Sequence, residues 1–285
     1  MPLRELREDR EGGTHRGGVD SIVDRDPATL VLAFAGPDML VRRENQDRLP
    51  TLSELEACTP IIAGPFDLGR IDGRDVVAVA VAREAACDIL EAKGLRELFG
   101  LLPDSLMSLA ARASQTIEWA LAHAFCGRCG SPTDYSETEL ARTCPSCGAV
   151  YYPRITPAVI TLVRKGPEIL LARGRRFGSR FYSLIAGFVE PGETLEEAVA
   201  REVLEEVGIE VGGIEYFASQ SWPFPSQLMV GFTAEHVAGS IQINESELSD
   251  ARWFRIEDLP GDIEIPSTFS ISGRLIRSAV PSLGR

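Results

Sequence analysis

The carboxylates of Glu202, Glu205 and Glu206 stand at the spacing i, i+3, i+4, which gathers them on one side of any helix that carries them. The surrounding stretch, GFVEPGETLEEAVAREVLEEVGI (187–209), predicts such a helix. Pro191-Gly192 marks a turn, Thr194 with Glu197 three residues later is a capping box, and Gly208 is a C-terminal stop, so the helix spans Leu195–Val207. At about 100° per residue, Leu195, Ala198, Val199, Val203 and Val207 form one apolar face. Glu202 and Glu206 fall inside that arc and Glu205 borders it. Glu197 and Arg201 lie opposite, one turn apart, at the spacing of a solvated ion pair. Like charges on a side that should be buried repel one another and lose solvation, which raises their pKa values unless a cation compensates. A hard divalent cation with oxygen ligands is the simplest compensation.

A second set of ligand-type residues is sulfur. Cys126 and Cys129 form one CxxC and Cys144 and Cys147 another, with 14 residues between the pairs and a glycine just past each second cysteine. That spacing fits one tetrahedral zinc ion, closed by four thiolates and therefore structural. Two disulfides or a redox pair are the competing reading. Cys58 and Cys87 lie outside the pattern and read as unpaired, small buried hydrophobes. His123 reads as a packed or solvated histidine, because four cysteines saturate a zinc ion.

The third unusual stretch is SQSWPFPSQLM (Ser219–Met229), where two prolines flank Phe224 and Trp222 stands close by. Such a stiff aromatic segment suits stacking on a planar base, or caps the core as a loop. Arg173, Arg175, Arg176 and Arg180 cluster as a basic patch, read equally as loop solubility or as phosphate contact.

Gly187, Glu193 and the run Arg201-Glu202-Val203-Leu204-Glu205-Glu206-Val207-Gly208-Ile209 resemble a complete Nudix box, the signature of hydrolases of nucleoside diphosphates linked to another group. Ser219 onward resembles the SQPWPFPxS segment of the NADH pyrophosphatase branch, with departures at Ser221 and Gln227. The resemblance implies two to three Mg²⁺ or Mn²⁺ ions bound by the carbonyl of Ala186 and by Glu202, Glu205, Glu206 and Glu247. Arg201 would orient the glutamates, and Glu205 or Glu206 would accept the proton of the attacking water. Substrate contacts carry over onto Arg96, Glu139, Tyr152, the ring of Phe188, the segment Gln220, Ser221, Trp222, Pro223, Phe224, Pro225, Ser226 and Gln227, and the backbone around Ser272. The implied reaction splits NAD or NADH into nicotinamide mononucleotide and AMP, and removes NAD caps from RNA 5′ ends. Another nucleoside diphosphate such as ADP-ribose is the alternative substrate. A non-catalytic zinc-ribbon interaction protein is the rival from another class, and it requires damaged ligands. The family further implies a homodimer in which Trp222 and Tyr152 complete a site across the interface.

The elements that must position these groups set the fold class. The sequence has 285 residues, 44% hydrophobic, with 29 Lys plus Arg against 42 Asp plus Glu, a net charge of −13. That balance excludes general nucleic-acid or membrane affinity. No apolar run reaches the length of a membrane span, so a cytoplasmic protein is expected. Residues 1–20 read as a disordered tail, 21–124 as a β-rich domain with a connecting helix, 125–153 as the zinc ribbon and 154–285 as the Nudix domain. The expected class is α+β: an α/β/α sandwich with a mixed sheet, preceded by the ribbon and the small β-rich domain. Strands are expected at Thr29–Ala35, Met39–Arg42, Phe66–Ile71, Asp75–Val81, Ala158–Val163, Glu168–Leu171, Phe181–Ile185 and Ile214–Ser219, and helices at Leu95–Phe99 and from Asp104 to about His123.

Overall fold

The computed structural model describes residues 22, 25–83, 88–176, 178, 180–280 and 283. The expected tail over 1–20 and Cys87 lie outside the described residues. Two compact units meet in sequence at Arg154 and Ile155.

The first unit opens with β1 (Leu30–Ala35), β2 (Asp38–Arg42), α1 (Leu52–Glu56), β3 (Ile61–Ile71), β4 (Arg74–Val81), β5 (Leu90–Gly94) and α2 (Asp104–Ala122). Its sheet runs β3-β4-β1-β2-β5, with β1 and β4 parallel and the other pairs antiparallel. Asp72 and Gly73 join β3 to β4 as a two-residue loop closed by the Ile71–Arg74 pair, and both take positive φ, 50° and 77°, as a type I′ turn requires. One face packs α1 on Val31, Ala33, Val77 and Val79, and α2 lies against β1, β3 and β4. The expected helix over Leu95–Phe99 is a turn instead. Leu98 and Phe99 donate to the carbonyls three residues back, and the stretch is confined between Gly94 and Gly100, too short to propagate a helix. The unit ends in three short antiparallel strands, β6 (Asp134–Tyr135), β7 (Arg142–Thr143) and β8 (Val150–Tyr151). Cys58 is disulfide-bonded, which corrects its reading as an unpaired residue.

The second unit contains β9 (Thr156–Lys165), β10 (Glu168–Gly174), β11 (Ile185–Phe188), α3 (Leu195–Val207), β12 (Glu210–Trp222), β13 (Gln227–Ala238), β14 (Leu248–Arg255) and α4 (Ile271–Ala279). The sheet is mixed, in the order β12-β13-β9-β10-β14, with β9 and β13 parallel and β11 paired to β9 beside β10. Alternation along β9 builds two cores. Ile160 and Leu162 pack with Ile271, Leu275 and Ile276 of α4, whereas Val159 packs with Ala198 and Val199, and Val163 with Val203 and Val207, all of α3. The result is an α/β/α sandwich, and α3 has the predicted bounds, with the Thr194–Glu197 capping box formed and Gly208 at φ 69°.

Two expectations shift. The strand leading into the glutamate helix is Ile185–Phe188 rather than Phe181–Ile185, because β9 leaves only Ala158–Thr161 free beside its β10 partners Arg164 and Lys165. Phe181 and Ser183 make single bridges, to Glu264 and Ala172. The segment after Ser219 is not an irregular loop throughout. Ser219–Trp222 continue β12 in a long hairpin, the Trp222–Gln227 pair closes it, and only residues 223–226 turn, where a proline removes no ladder bond.

Helix α4 has no counterpart in the sequence reading, and Gly273 shows how closely it is seated. A Cβ on Gly273 would lie 1.9 Å from the carbonyl oxygen of Ser267 and 2.6 Å from that of Pro266, both backbone atoms. The substitution Gly273→Ala is therefore expected to destabilise the protein by about 1–3 kcal/mol, as overpacking does. The urea midpoint measures it, and an unchanged midpoint would show that the segment 266–267 relaxes freely.

Candidate active site

Residue α3 position by position carries the acidic groups, and Arg201 is the hub that sorts them. Its guanidinium donates to both oxygens of Glu193, at 2.6 and 2.9 Å, to Glu202 at 2.9 Å, to Glu205 at 3.1 Å and to the carbonyl of Phe188 at 2.8 Å. The bidentate pair holds the Glu193 carboxyl down at about 2. The expected Glu197–Arg201 pair does not form, because Glu197 is occupied in the helix cap with Thr194. Glu193 is a position of the sequence motif, and its place eight residues before Arg201, ahead of the helix, follows no helical spacing that would reveal the pairing.

Glu206 is different in kind. It is buried at 6% exposure inside the apolar arc of α3. Burial, with the nearby charges of Glu247 and Glu202, pushes its carboxyl up to about 8. Burial also raises Glu202, against the opposing pull of Arg201. Glu205 remains on the exposed side of the helix. Glu247 comes from the far end of the loop after β13, which is tied to the end of α3: Gln242 N–H donates to the carbonyl of Val207 and Asn244 N–H to that of Glu206, both at 2.8 Å. These bonds also satisfy carbonyls that the helix end leaves open.

Gly187 completes the cradle. A Cβ there would lie 1.9–2.1 Å from the three terminal atoms of the Glu202 carboxylate, so only glycine lets the carboxylate lie over β11. Ala186 precedes it on β11, opposite Ile160. An all-oxygen donor set with two raised carboxyls fits a hard divalent cation.

The remaining site candidates separate into groups. Gln220 spends its side chain on the backbone before α4, donating to the carbonyl of Phe269 at 2.8 Å and accepting from Ile271 N–H at 2.7 Å. Ser272 is buried and bonded to Ser183 Oγ at 2.8 Å. Trp222 and Phe224 meet edge to face at 5.1 Å across the hairpin turn. The Phe188 ring is 51% exposed, while its carbonyl serves Arg201. Of the basic cluster, Arg173 donates to Ser249 and ties β10 to β14, Arg175 donates to the carbonyl of Glu245 and Arg180 to that of Asp262, so these two staple loops; Arg176 is exposed.

In the first unit, the four cysteine sulfurs lie within 4.8 Å of one another, with Cys126–Cys147 at 3.6 Å and Cys129–Cys144 at 3.5 Å. A tetrahedral zinc site with bonds of about 2.3 Å has sulfur–sulfur edges of about 3.8 Å, so the cage fits that ion. Gly130 and Gly148 take positive φ, 77° and 71°, and return their N–H groups to the carbonyls of Cys126 and Cys144. The Tyr151 hydroxyl lies 3.1 Å from Cys126 Sγ, a supporting contact that the sequence reading missed. His123 gives its Nδ1 to the carbonyl of Trp119 at 2.8 Å and stays out of the cage. Tyr152 donates to Glu139 at 3.0 Å, which joins two substrate-contact candidates; Arg96 stands apart from them in sequence, on the turn after β5.

A strand opened by Gly187, a helix whose arginine sorts its glutamates, and a mixed sheet between helices define a Nudix-type hydrolase, and the family described as NUDIX domain matches residues 153–271. Residues 121–152 match the NADH pyrophosphatase zinc ribbon domain, and residues 28–119 the NADH pyrophosphatase-like rudimentary NUDIX domain. The chain is 43% identical over 256 residues to a Deinococcus radiodurans protein named NAD-capped RNA hydrolase NudC, covering 87% of this chain and 90% of that one. A Chromobacterium violaceum protein of the same name is 46% identical over 218 residues, covering 76% and 81%. The chain belongs to the NADH pyrophosphatase family of Nudix hydrolases.

Two outcomes follow from the geometry. Because a cation needs Glu206 ionised and its carboxyl stays protonated up to about 8, Mn²⁺ affinity should rise by up to about tenfold per pH unit between pH 6 and 8. The sign for stability is opposite: with the folded pKa above the unfolded one, the metal-free fold loses stability as pH rises from about 4.5 to 8. Mn²⁺ titrations across that range check the first, and a flat profile refutes it. Gly187→Ala should displace the Glu202 carboxylate and weaken Mn²⁺ binding by at least about tenfold, the scale of a misplaced ligand; unchanged binding would show that Glu202 is not held by this gap.

Proposed function

We propose that the protein is a divalent-cation-dependent diphosphatase that splits NAD or NADH into nicotinamide mononucleotide and AMP, and that it also removes NAD caps from RNA 5′ ends. The observation that carries this reading is the buried Glu206 beside the half-buried Glu202, both raised in pKa, with the Glu202 carboxylate lying against Gly187. The names of the relatives, NAD-capped RNA hydrolase, support the substrate class. The rival of a non-catalytic interaction protein loses ground because Glu202, Glu205, Glu206 and Glu247 are all intact.

The site would hold Mg²⁺ or Mn²⁺ through Glu202, Glu205, Glu206, Glu247 and the Ala186 carbonyl, and a cation there supplies charge neutralisation of the diphosphate and a water of lowered pKa. The chain's own groups do the rest. Arg201 fixes Glu202 and Glu205 from one side, so that their free oxygens have few orientations left. Glu206 accepts the proton of the attacking water at its carboxylate in preference to Glu205, which stands exposed and has an oxygen already engaged by Arg201. Trp222 and Phe224 offer faces for a planar base. One zinc ion in the ribbon has a structural role. The same reading includes a cytoplasmic homodimer, with residues 21–124, 125–153 and 154–285 as its three domains; light scattering of the purified protein tests the dimer.

Steady-state hydrolysis of NADH, NAD, ADP-ribose, diadenosine polyphosphates and NAD-capped RNA, run in parallel with Mg²⁺ or Mn²⁺, is expected to favour the nicotinamide dinucleotides and the capped RNA, with AMP released from the free dinucleotides. A preference for ADP-ribose would keep the chemistry and move the substrate, with Ser221 and Gln227 beside the hairpin turn as the residues to revert. Glu206→Gln should lower turnover by about 10²–10⁴ with the fold intact. Near-normal turnover would defeat the assignment of Glu206 as base.

A further inference from the structure

Asn244 touches both ends of the acidic site at once. Its backbone N–H donates to the Glu206 carbonyl at 2.8 Å, and its own carbonyl accepts from the N–H groups of Glu247 at 3.0 Å and Leu248 at 2.9 Å. Its side-chain oxygen accepts from Ser246 N–H at 3.1 Å and from Ser246 Oγ at 2.6 Å, and its side-chain Nδ2 donates to Glu247 Oε1 at 3.3 Å. The direction of the amide is settled by chemistry. A backbone N–H can only donate, so Oδ1 must face Ser246, and Nδ2 is left facing Glu247. From the outer side Arg175 holds the same loop, giving its N–H to the Glu247 carbonyl at 3.1 Å and its guanidinium to the Glu245 carbonyl at 2.6 Å.

We propose that Asn244 is a positioning residue for the cation site, fixing the Glu247 carboxylate relative to Glu206. Glu247 is exposed, on a turn between β13 and β14, and without a partner its side chain would lose rotamer freedom each time a cation bound. An amide donor restricts it beforehand. A neutral N–H also orients the carboxylate without cancelling its charge, as a lysine or arginine at the same place would. The geometry makes Asn244 a link of one residue: the main chain measures its distance from the end of α3, and the side chain aims the ligand. Outer groups of this kind change metal affinity by roughly 10–100-fold when removed. The inference rests on the reading of Glu247 as a cation ligand.

The test is Mn²⁺ binding without substrate, read as free Mn²⁺ by electron paramagnetic resonance, on the full-length protein and four variants. Asn244→Ala keeps its backbone bond to Glu206 and is expected to weaken Mn²⁺ binding about tenfold. Ser246→Ala, which removes one of the two donors that fix the amide, should weaken it by a smaller factor, about two- to threefold. Glu247→Ala should weaken binding, and the double variant Asn244→Ala/Glu247→Ala should bind no more weakly than Glu247→Ala alone, because Asn244 then has no carboxylate to aim. Additive losses in that cycle, or wild-type affinity in both Asn244→Ala and Ser246→Ala while Glu247→Ala binds weakly, would overturn the role of Asn244. Wild-type affinity in Glu247→Ala would remove the ligand reading and this inference with it.

Discussion

The interaction on which the active-site half of the molecule depends is the guanidinium of Arg201 among Glu193, Glu202, Glu205 and the Phe188 carbonyl. One positive charge cannot balance the carboxylates around it. Glu193 takes the largest share, through a bidentate pair, and Glu202 and Glu205 take single bonds. Glu206 gets none, and its desolvated carboxyl answers by holding its proton to about 8. The site is therefore electrostatically incomplete in a definite place, between Glu202, Glu206 and Glu247, and that place lies beside the strand that Gly187 keeps open.

The sheet and its two helices convert this local imbalance into a fixed geometry. Strand β9 is the common partner: it holds β11 on one edge and β13 on the other, and its alternating faces receive α3 and α4. A rigid strand under Gly187 and a close-packed helix carrying the glutamates leave Glu202 little room to move. Gln220 performs a parallel task on the α4 side, where its amide replaces two backbone partners at the start of that helix. Its motif position thus has a structural use independent of any contact with substrate.

In the first unit the short ribbon strands place two neighbouring tyrosines in different surroundings. Tyr151 lies against Cys126 and the His123 ring, while Tyr152 reaches Glu139. Tyr152 stands just past the end of β8, so the strand that seats Tyr151 against the cysteine cage also delivers Tyr152. Arg142 reinforces the ribbon from within: it is buried, donates twice to Thr133 and lies 4.1 Å over the Tyr135 ring.

The sequence by itself determined helix α3 to the residue, because a capping box, a 3.6-residue apolar period and a C-terminal glycine are all local signals. It also determined the cysteine cage, the hairpins of the first sheet and the anomaly of acidic residues on an apolar face. Only the tertiary structure decided that Arg201 pairs with Glu193 rather than Glu197, since a loop residue eight positions away has no periodic relation to the helix. It likewise decided that the strand beside β9 starts at Ile185, that Ser219–Trp222 belong to a hairpin, and that Leu95–Phe99 is a turn. The seating of α4 and the tie of Asn244 to the end of α3 were legible in no pattern. Pairing partners, edge availability and loop anchors are contacts between segments far apart in the chain, and local periodicity carries no information about them.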